Sequence, residues 1–220
     1  MRPSTRIRST IMRLLASEFM LQRRRAKGRK QREAQGLEPV VYYFHQVDDP
    51  YSFIMAQQLT RFADIASVSI KPFLVSDPAA PYKGDASRFD AWAIADAANI
   101  APFLGETVPV TAGAESPTPP GDSQREAAQA ALSPLLDADL STFTAQAHRV
   151  GLALCQHDAM TMPNHQDRAH AATCIAAGDT LRESLGHFQG GTLYFDGEWY
   201  WGVDRLPLLL ARLKEEGHSQ

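Results

Sequence analysis

The chain has 220 residues, of which 44% are apolar and 21% are charged, a composition typical of one globular domain or of a domain with a sizeable insert. No run approaches the roughly 18 apolar residues of a membrane-spanning helix, so no transmembrane segment is predicted. The two cysteines, Cys155 and Cys174, are too few for a disulfide scaffold or a zinc ribbon, and we therefore expect a reducing, cytoplasmic environment.

Charge is unevenly distributed along the chain. Residues 1–32 carry eleven of the 22 basic side chains and one acid, Glu18, for a net charge of +10, whereas the other 188 residues have a net charge of −13. The basic segment predicts a solvated helix that can contact nucleic acid, an anionic lipid surface weakly, an acidic protein partner, or the acidic body of its own chain. Its Arg-rich, acid-poor sequence also fits an organellar transit peptide, the alternative to a cytoplasmic location.

The first part of the domain has the pattern of strand, helix and strand. Residues 40–44 are β-branched and aromatic, which is typical of a buried parallel strand. Asp49 is a good N-cap and Pro50 fits the first position of a helix, which the apolar spacing then continues. A second strand is predicted over 67–75, broken by Pro72.

The middle of the chain is predicted to be helical. After a loop at 76–87, a helix over 89–103 ends at Gly105. The proline-rich segment 106–121 predicts a mobile surface loop. Three further helices are predicted near 123–136, 140–154 and 166–185.

Near the C-terminus the pattern changes to that of strands. Residues 192–195 and 198–201 flank Asp196-Gly197, a strong signal for a β-hairpin. A final amphipathic helix is predicted from Asp204 to about Lys214. The order is therefore βαβ, a long helical stretch and ββα, which predicts an α/β, thioredoxin-like fold with a large all-helical insertion. The strands at 40–44 and 192–195 are both of the buried type, so we expect them to pair in one sheet, with Asp49 and Gly191 facing each other across a cleft.

The turn before the first domain helix resembles that of a known family. Asp49-Pro50-Tyr51-Ser52 stands where thiol oxidoreductases of this fold carry Cys-Pro-x-Cys. It is similar to the Ser-Pro-Tyr-Ser turn of the 2-hydroxychromene-2-carboxylate isomerase and kappa-class glutathione transferase branch of the DsbA-like superfamily. The helix around Asp96 resembles the Arg-Asp-Leu helix in the insert of that branch.

A second group of residues carries the resemblance near the C-terminus. These residues stand in places comparable to the Gly-x-Phe-Gly-Val-Pro-Thr-Phe and Trp-Gly-x-Asp-Arg segments of the branch: Gly186, Phe188, Gly190, Thr192, Asp196, Gly197, Trp201, Gly202, Asp204 and Arg205. The resemblance covers roughly residues 40–214. The charge pattern predicts a basic N-terminal helical extension over 1–36, and the resemblance implies a DsbA-like thioredoxin domain over 37–220, with a helical insert at about 76–186.

The resemblance implies a small organic or glutathione-like ligand, with glutathione as the cofactor to test. An enzyme of this kind would be an isomerase or a glutathione transferase rather than a dithiol oxidoreductase, because residues 49 and 52 carry no sulfur. The alternative is a non-catalytic thioredoxin-fold binding module that acts through its basic N-terminal helix and a protein partner or a second thioredoxin-like domain.

Two departures from the branch bear on its chemistry. Gly191, just before Thr192, stands at the cis-proline position, and glycine permits that backbone without enforcing it. Asp49 replaces a serine, so a carboxylate occupies the helix N-terminal field that would stabilise a thiolate. A glutathione thiolate about 4 Å from Asp49 would be repelled by roughly 1 to 4 kcal/mol, which disfavours the usual thiol chemistry.

The predicted catalytic residues are Asp49 as base or orienting group, Ser52 and Tyr51 as donors, and His45 as a partner in proton transfer. Each has a structural alternative. Asp49 could be an N-cap without chemistry, His45 a structural histidine, and the other two plain turn residues.

The ligand-binding residues that the resemblance implies are Gly191, Thr192, Trp201, Asp204 and Arg205. In relatives that use glutathione, the residue matching Asp204 contacts the γ-glutamyl amino group, and an N-cap is the alternative role. No metal site is predicted, because the histidines and cysteine that invite one lack the spacing of a structural site: His157, His165, His170 and Cys174.

Overall fold

Strands at both ends of the domain meet in one mixed sheet, and a long helical stretch separates them in sequence. The computed structural model describes residues 17–79, 82, 85–109 and 119–218. The elements in chain order are α1 (Glu18–Ala34), β1 (Val40–His45), α2 (Pro50–Ala66), β2 (Ser69–Leu74), α3 (Ala86–Ile100), α4 (Asp122–Leu132), α5 (Leu140–Gln156), α6 (His165–Ser184), β3 (Thr192–Phe195), β4 (Glu198–Trp201) and α7 (Leu206–Glu215). Short 3₁₀ helices occupy 101–104, 133–135 and 203–205.

The sheet has the strand order β2-β1-β3-β4. β1 and β2 are parallel, as the crossover through α2 requires, whereas β1 and β3 are antiparallel, with Tyr42 opposite Tyr194 and Phe44 opposite Thr192. The predicted pairing of the strands at 40–44 and 192–195 is therefore confirmed. So is the predicted βαβ and ββα order with a helical insertion between them.

The two faces of the sheet bury different side chains. On one face Tyr43 and Leu193 are fully buried in a core that α2, α5 and α7 complete. On the other face Phe44 stacks on Phe73 and contacts Trp199, which forms an aromatic layer. Burial on both faces explains why the sequence of β1 is continuously apolar rather than alternating.

Two sequence predictions need correction. Pro72 does not break the second strand, because β2 lies at the edge of the sheet, where a missing N–H is tolerated. The last helix begins at Leu206 rather than Asp204, since the 3₁₀ turn at 203–205 precedes it.

Local signals elsewhere had the predicted effect. Asp196 and Gly197 have φ values of +37° and +86°, as a two-residue hairpin turn requires, and Gly105 ends its helix at φ +75°.

Of the loop predicted at 106–121, residues 110–118 lie outside the described residues. The domain boundaries stay a prediction. No helix in the described ranges is long and apolar enough to cross a membrane.

The basic helix α1 packs on the β3–β4 hairpin. Arg25 forms an ion pair with Glu198 at 2.8 Å, and Arg32 forms one with Asp196 at 2.9 Å. Between them Gly28 lies so close to Asp196 that a Cβ at residue 28 would be 2.6 Å from the Asp196 carbonyl oxygen. Of the contacts that the basic charge predicts, the structure thus shows the one with the acidic body of the same chain.

Candidate functional site

A cleft of about 560 Å³ lies where β1 and β2 end at their carboxyl sides. Its size is in the range typical of small-molecule sites. The turn 46–51 and residues 75–78 form one part of it, and α3 and α4 form another. Further lining residues come from the segment before β3, from the end of β4 and from the segment before α4: Gln189, Gly190, Trp201 and Pro119.

Asp49 is the half-buried N-cap of α2 in this cleft. Its carboxylate accepts hydrogen bonds from the backbone N–H groups of Tyr51, at 3.3 Å, and Ser52, at 2.8 Å, and from the Ser52 hydroxyl at 2.7 Å. Burial raises the pKa of Asp49 to about 6, although these hydrogen bonds act in the opposite direction. Near neutral pH the group therefore exists in both protonation states.

Ser52 is fully buried and forms three hydrogen bonds that stabilise the turn before α2. Besides donating to Asp49, its hydroxyl accepts from the Gln46 backbone N–H at 3.2 Å, and its carbonyl oxygen accepts from the Tyr43 hydroxyl at 2.8 Å. The Ser52 proton is thus committed to Asp49. Its place in the structure is that of a residue that orients the carboxylate.

The hydroxyl of Tyr51, expected to be free for a ligand, is engaged. It donates to Asp96 Oδ2 of α3 at 2.7 Å, while Tyr51 itself remains part of the cleft lining. Burial, followed by this hydrogen bond, raises the pKa of Tyr51 above its usual range. The contact connects the turn at the start of α2 to α3 of the helical insertion. It gives Asp96 a structural role, whereas the sequence indicated this residue only through the resemblance of its helix.

Among the described residues, His45 forms no hydrogen bond or ion pair with Asp49. His45 is buried at the end of β1, with Nδ1 2.7 Å from the Tyr43 hydroxyl and its ring edge-on to Phe143. Burial lowers the pKa of His45 to about 3, so the imidazole is neutral at physiological pH. The position is that of the structural histidine which the sequence left as an alternative.

Gly191 faces Asp49 across the turn, as predicted. Its φ is +60°, and a Cβ at this residue would lie 2.9 Å from Asp49 Oδ2 and 3.3 Å from the Ser52 backbone nitrogen. Glycine is therefore required both by the backbone conformation and by the close approach. Thr192 next to it is fully buried, and its hydroxyl donates to the Gln189 carbonyl oxygen at 3.4 Å.

The remaining predicted ligand residues divide into two groups. Trp201 lines the cleft and is 56% exposed. Asp204 and Arg205 lie outside the cleft lining, because the 3₁₀ turn at 203–205 leaves both side chains exposed, where they pair with each other at 3.3 Å. The structure thus brings Trp201 to the site but not Asp204 or Arg205.

Sequence reasoning missed a polar bridge at the edge of the cleft. The Gln46 side-chain amide donates to Asp48 Oδ1 at 2.9 Å and to Asp77 Oδ1 at 3.2 Å, and Arg125 of α4 lies 3.7 Å from Asp48. Gln46 and Asp77 follow the ends of the parallel strands β1 and β2, and this position could have indicated that both lie at the cleft. Arg125 gives no local signal, since it lies far along the chain in the insertion.

The described residues include no group of three or more His, Cys, Asp or Glu side chains that could hold a metal ion. His170 Nε2 lies 3.6 Å from Cys174 Sγ on α6. His157 caps α5 with φ +54°, and His165 begins α6. Both cysteines are free, burial raises the pKa of Cys155 to about 11, and neither cysteine lines the cleft.

No family model matches the chain, and neither does any curated protein. Among solved structures, 2-hydroxychromene-2-carboxylate isomerase is 14% identical, with a TM-score of 0.57 over 81% of this chain and 96% of its own. A candidate protein disulfide isomerase from Nitrosomonas europaea is also 14% identical, with a TM-score of 0.48 over 81% of this chain and 98% of its own. The first likeness shows a DsbA-like thioredoxin fold with a helical insertion, and the predicted resemblance is confirmed at the level of fold.

Proposed function

We propose that the cleft binds a small organic ligand and that Asp49 moves a proton on that ligand, as an isomerase does. The observation that supports this most is the state of Asp49: a half-buried carboxyl that lines a cleft and whose pKa is raised to about 6. A general base is most effective when its pKa lies near the working pH, because it can then both accept and return a proton.

The surrounding residues have separate roles in this proposal. Asp49 accepts a proton from one atom of the ligand and returns it to another, so the reaction needs no oxidant or reductant. The Ser52 hydroxyl holds the carboxylate in place, and Gly191 gives it room on the opposite side. Trp201 and Phe89 provide apolar walls for the ligand.

Glutathione enters the proposal as a ligand to be tested rather than as a required cofactor. A thiolate that docks at the N-terminus of α2 would meet the negative charge of Asp49, which nothing among the described residues neutralises with an ion pair. Asp49→Ser would recreate the Ser-Pro-Tyr-Ser turn and should bind glutathione more tightly, by up to roughly 1 to 4 kcal/mol.

A binding module without catalysis is the second candidate. Its support is that two predicted catalytic groups are already satisfied: the Tyr51 hydroxyl by Asp96 and the His45 imidazole by Tyr43. Such a module would use the cleft, the basic helix α1 or both to bind its partner.

The two candidates differ in what Asp49→Asn does. The probe is 2-hydroxychromene-2-carboxylate, the compound in the name of the structural neighbour, incubated with the purified chain in deuterated buffer with and without glutathione. We expect turnover with deuterium incorporation and without any need for glutathione, rising with pH around an apparent pKa near 6 and lost in Asp49→Asn.

The matched control is Asp139→Asn, which changes the aspartate N-cap of α5, outside the cleft. This variant should keep full turnover. Turnover that survives in Asp49→Asn would overturn the role of Asp49. If the probe binds without turnover in the parent chain, the binding module is favoured instead.

A further inference from the structure

Helix α1 has two basic faces with different neighbours. Arg25, Gly28 and Arg32 recur at intervals of three and four residues and face the β3–β4 hairpin. The opposite side of the helix carries Arg23, Lys27 and Lys30, also three and four residues apart, and all three are exposed.

The two rows differ in their counter-charges. The inward row is neutralised, since Arg25 and Arg32 pair with Glu198 and Asp196, whose side chains are only 15% and 9% exposed. In the described part of the chain no carboxylate pairs with Arg23, Lys27 or Lys30. Docking on the hairpin therefore holds the outward row in a fixed orientation while leaving its charge available.

An aromatic side chain accompanies the outward row. Phe19 is 64% exposed, and the Arg23 guanidinium lies over its ring at 5.7 Å. The amino-acid sequence before α1 combines the same residue types, with four further arginines among aliphatic residues: Ile7, Ile11, Leu14 and Leu15. Basic helices with exposed aromatic and aliphatic residues are typical of segments that bind at the interface of an anionic bilayer.

We propose that the outward face of α1 binds the anionic headgroups of a lipid bilayer such as one containing phosphatidylserine. The exposed Phe19 favours lipid over double-stranded nucleic acid, because contacts with the phosphate backbone of a duplex require only the cations. The net charge of −13 on the rest of the chain repels the same surface, so the molecule would bind with α1 facing the bilayer.

The test measures the binding of the full chain to vesicles. One set is phosphatidylcholine alone, and the other contains phosphatidylserine in addition. We expect salt-sensitive binding to the second set only. The triple variant Arg23→Gln, Lys27→Gln, Lys30→Gln should weaken that binding about a hundred-fold, because each basic residue near an anionic surface contributes about five-fold.

The matched control removes the same charge elsewhere. Arg61, Arg149 and Arg168 are exposed on α2, α5 and α6, and their triple change to Gln should alter vesicle binding by less than about five-fold. Phe19→Ser should weaken binding as well, without changing the melting temperature, since the side chain is exposed.

Three outcomes would overturn the proposal. The first is equal binding of the chain to both vesicle sets, and the second is an equal loss of vesicle binding in the two triple variants. The third is that an RNA oligonucleotide displaces the chain from the vesicles, binds the chain more tightly than the vesicles do, and binds Phe19→Ser as tightly as the parent. The last outcome would identify a nucleic acid as the partner of this face.

Discussion

The two ends of the central sheet both carry half-buried carboxylates, but they are satisfied in different ways. At the hairpin end, Glu198 accepts from Arg25 at 2.8 Å and from the buried Arg212 at 3.2 Å, and Asp196 accepts from Arg32. At the cleft end, Asp49 accepts only from two backbone N–H groups and the Ser52 hydroxyl among the described residues. Glu198 and Asp196 therefore have counter-charges, whereas Asp49 is held by dipoles alone.

The consequence is seen in the pKa values. Burial acts to raise the pKa at both ends, but at Glu198 the hydrogen bonds from Arg25 and Tyr200 and the charges of the two arginines outweigh it and lower the pKa. At Asp49 burial prevails, and the pKa rises to about 6. A carboxylate with full ionic partners stabilises the fold, whereas one held by dipoles alone retains the ability to exchange a proton.

The largest expected effect is at Arg212, the only cation of the hairpin end that is almost fully buried among the described residues, at 2% exposed. It donates to the Phe195 carbonyl at 2.8 Å and pairs with Glu198 and Glu216. Arg212→Met should lower the free energy of unfolding by about 3 to 5 kcal/mol, because it leaves the partly buried Glu216 without its cation, Glu198 with Arg25 alone, and the Phe195 carbonyl without its donor. Urea denaturation measures it.

The control for this change is Arg205→Met. Its side chain is 54% exposed, and we expect a change of about 0.5 kcal/mol or less. If the two variants lost similar stability, the counter-charges would not be what distinguishes the hairpin end from the cleft end.

Gly191→Ala tests the close approach at the cleft end. The change forces a side chain onto a backbone at φ +60° and places its Cβ 2.9 Å from Asp49 Oδ2. We expect a loss of about 2 to 4 kcal/mol from backbone strain and overpacking together. Thermal and urea unfolding measure the loss.

A matched glycine separates the two causes. Gly186 has φ +88°, and a Cβ there would meet nothing within 4 Å, so Gly186→Ala should cost only the backbone term, about 1 to 2 kcal/mol. Equal losses in the free energy of unfolding at the two glycines would show that the Asp49 carboxylate is not in close contact with residue 191 in solution.

Asp49→Asn tests the effect of a carboxylate that has hydrogen-bond donors but no ion-pair partner among the described residues. The pKa of about 6 lies above the ordinary value near 4, so the folded state holds an extra proton between these values, and stability falls as the pH rises through that interval. Asparagine caps a helix about as well and carries no charge. The variant should therefore gain about 1 to 3 kcal/mol relative to the parent between pH 4 and pH 7, measured by urea denaturation across that range.

Asp139, the N-cap of α5, gives the opposite sign. Hydrogen bonds from Ser141 and Thr142 lower the pKa of Asp139 to about 2. Its contribution to stability is present above the ordinary value near 4 and is lost as the pH falls toward 2, so Asp139→Asn should lose stability at neutral pH rather than gain it. Parallel pH profiles for the two Asn variants would contradict the difference between the sites.

Local chemistry explains which features could be predicted from the sequence. The N-cap at Asp49 and the turn at Asp196-Gly197 depend on neighbouring residues alone, and both formed as expected. The proximity of Gly191 to Asp49 was also predictable, because the pairing of β1 with β3 brings the two segments to the same end of the sheet.

Contacts between distant segments could not be predicted in the same way. The Tyr51–Asp96 hydrogen bond joins residues 45 positions apart, and the Arg25–Glu198 pair joins residues 173 apart. From the sequence one can see the Tyr51 hydroxyl and the Arg25 charge, but not which distant residue each contacts. His45 shows the same limit, because its burial against Phe143 is set by how α5 packs on the sheet.

The smallest expected effect, the coupling between Arg25 and Glu198, decides whether α1 belongs to the hairpin end in solution. The two side chains are 18% and 15% exposed and joined by two hydrogen bonds, at 2.8 and 3.1 Å, so their coupling should exceed that of a surface pair. A double-mutant cycle with Arg25→Met and Glu198→Gln should give about 1 to 2 kcal/mol. The same cycle on the exposed pair Lys71–Asp137 should give about 0.5 kcal/mol or less.

Trypsin should also cut within α1 faster in Arg25→Met than in the parent, because a loosened helix exposes its remaining basic residues to the protease. Zero coupling together with unchanged cleavage would mean that the counter-charges of Glu198 come from Arg212 alone and that α1 is held to the hairpin by its contacts at Gly28 and Arg32.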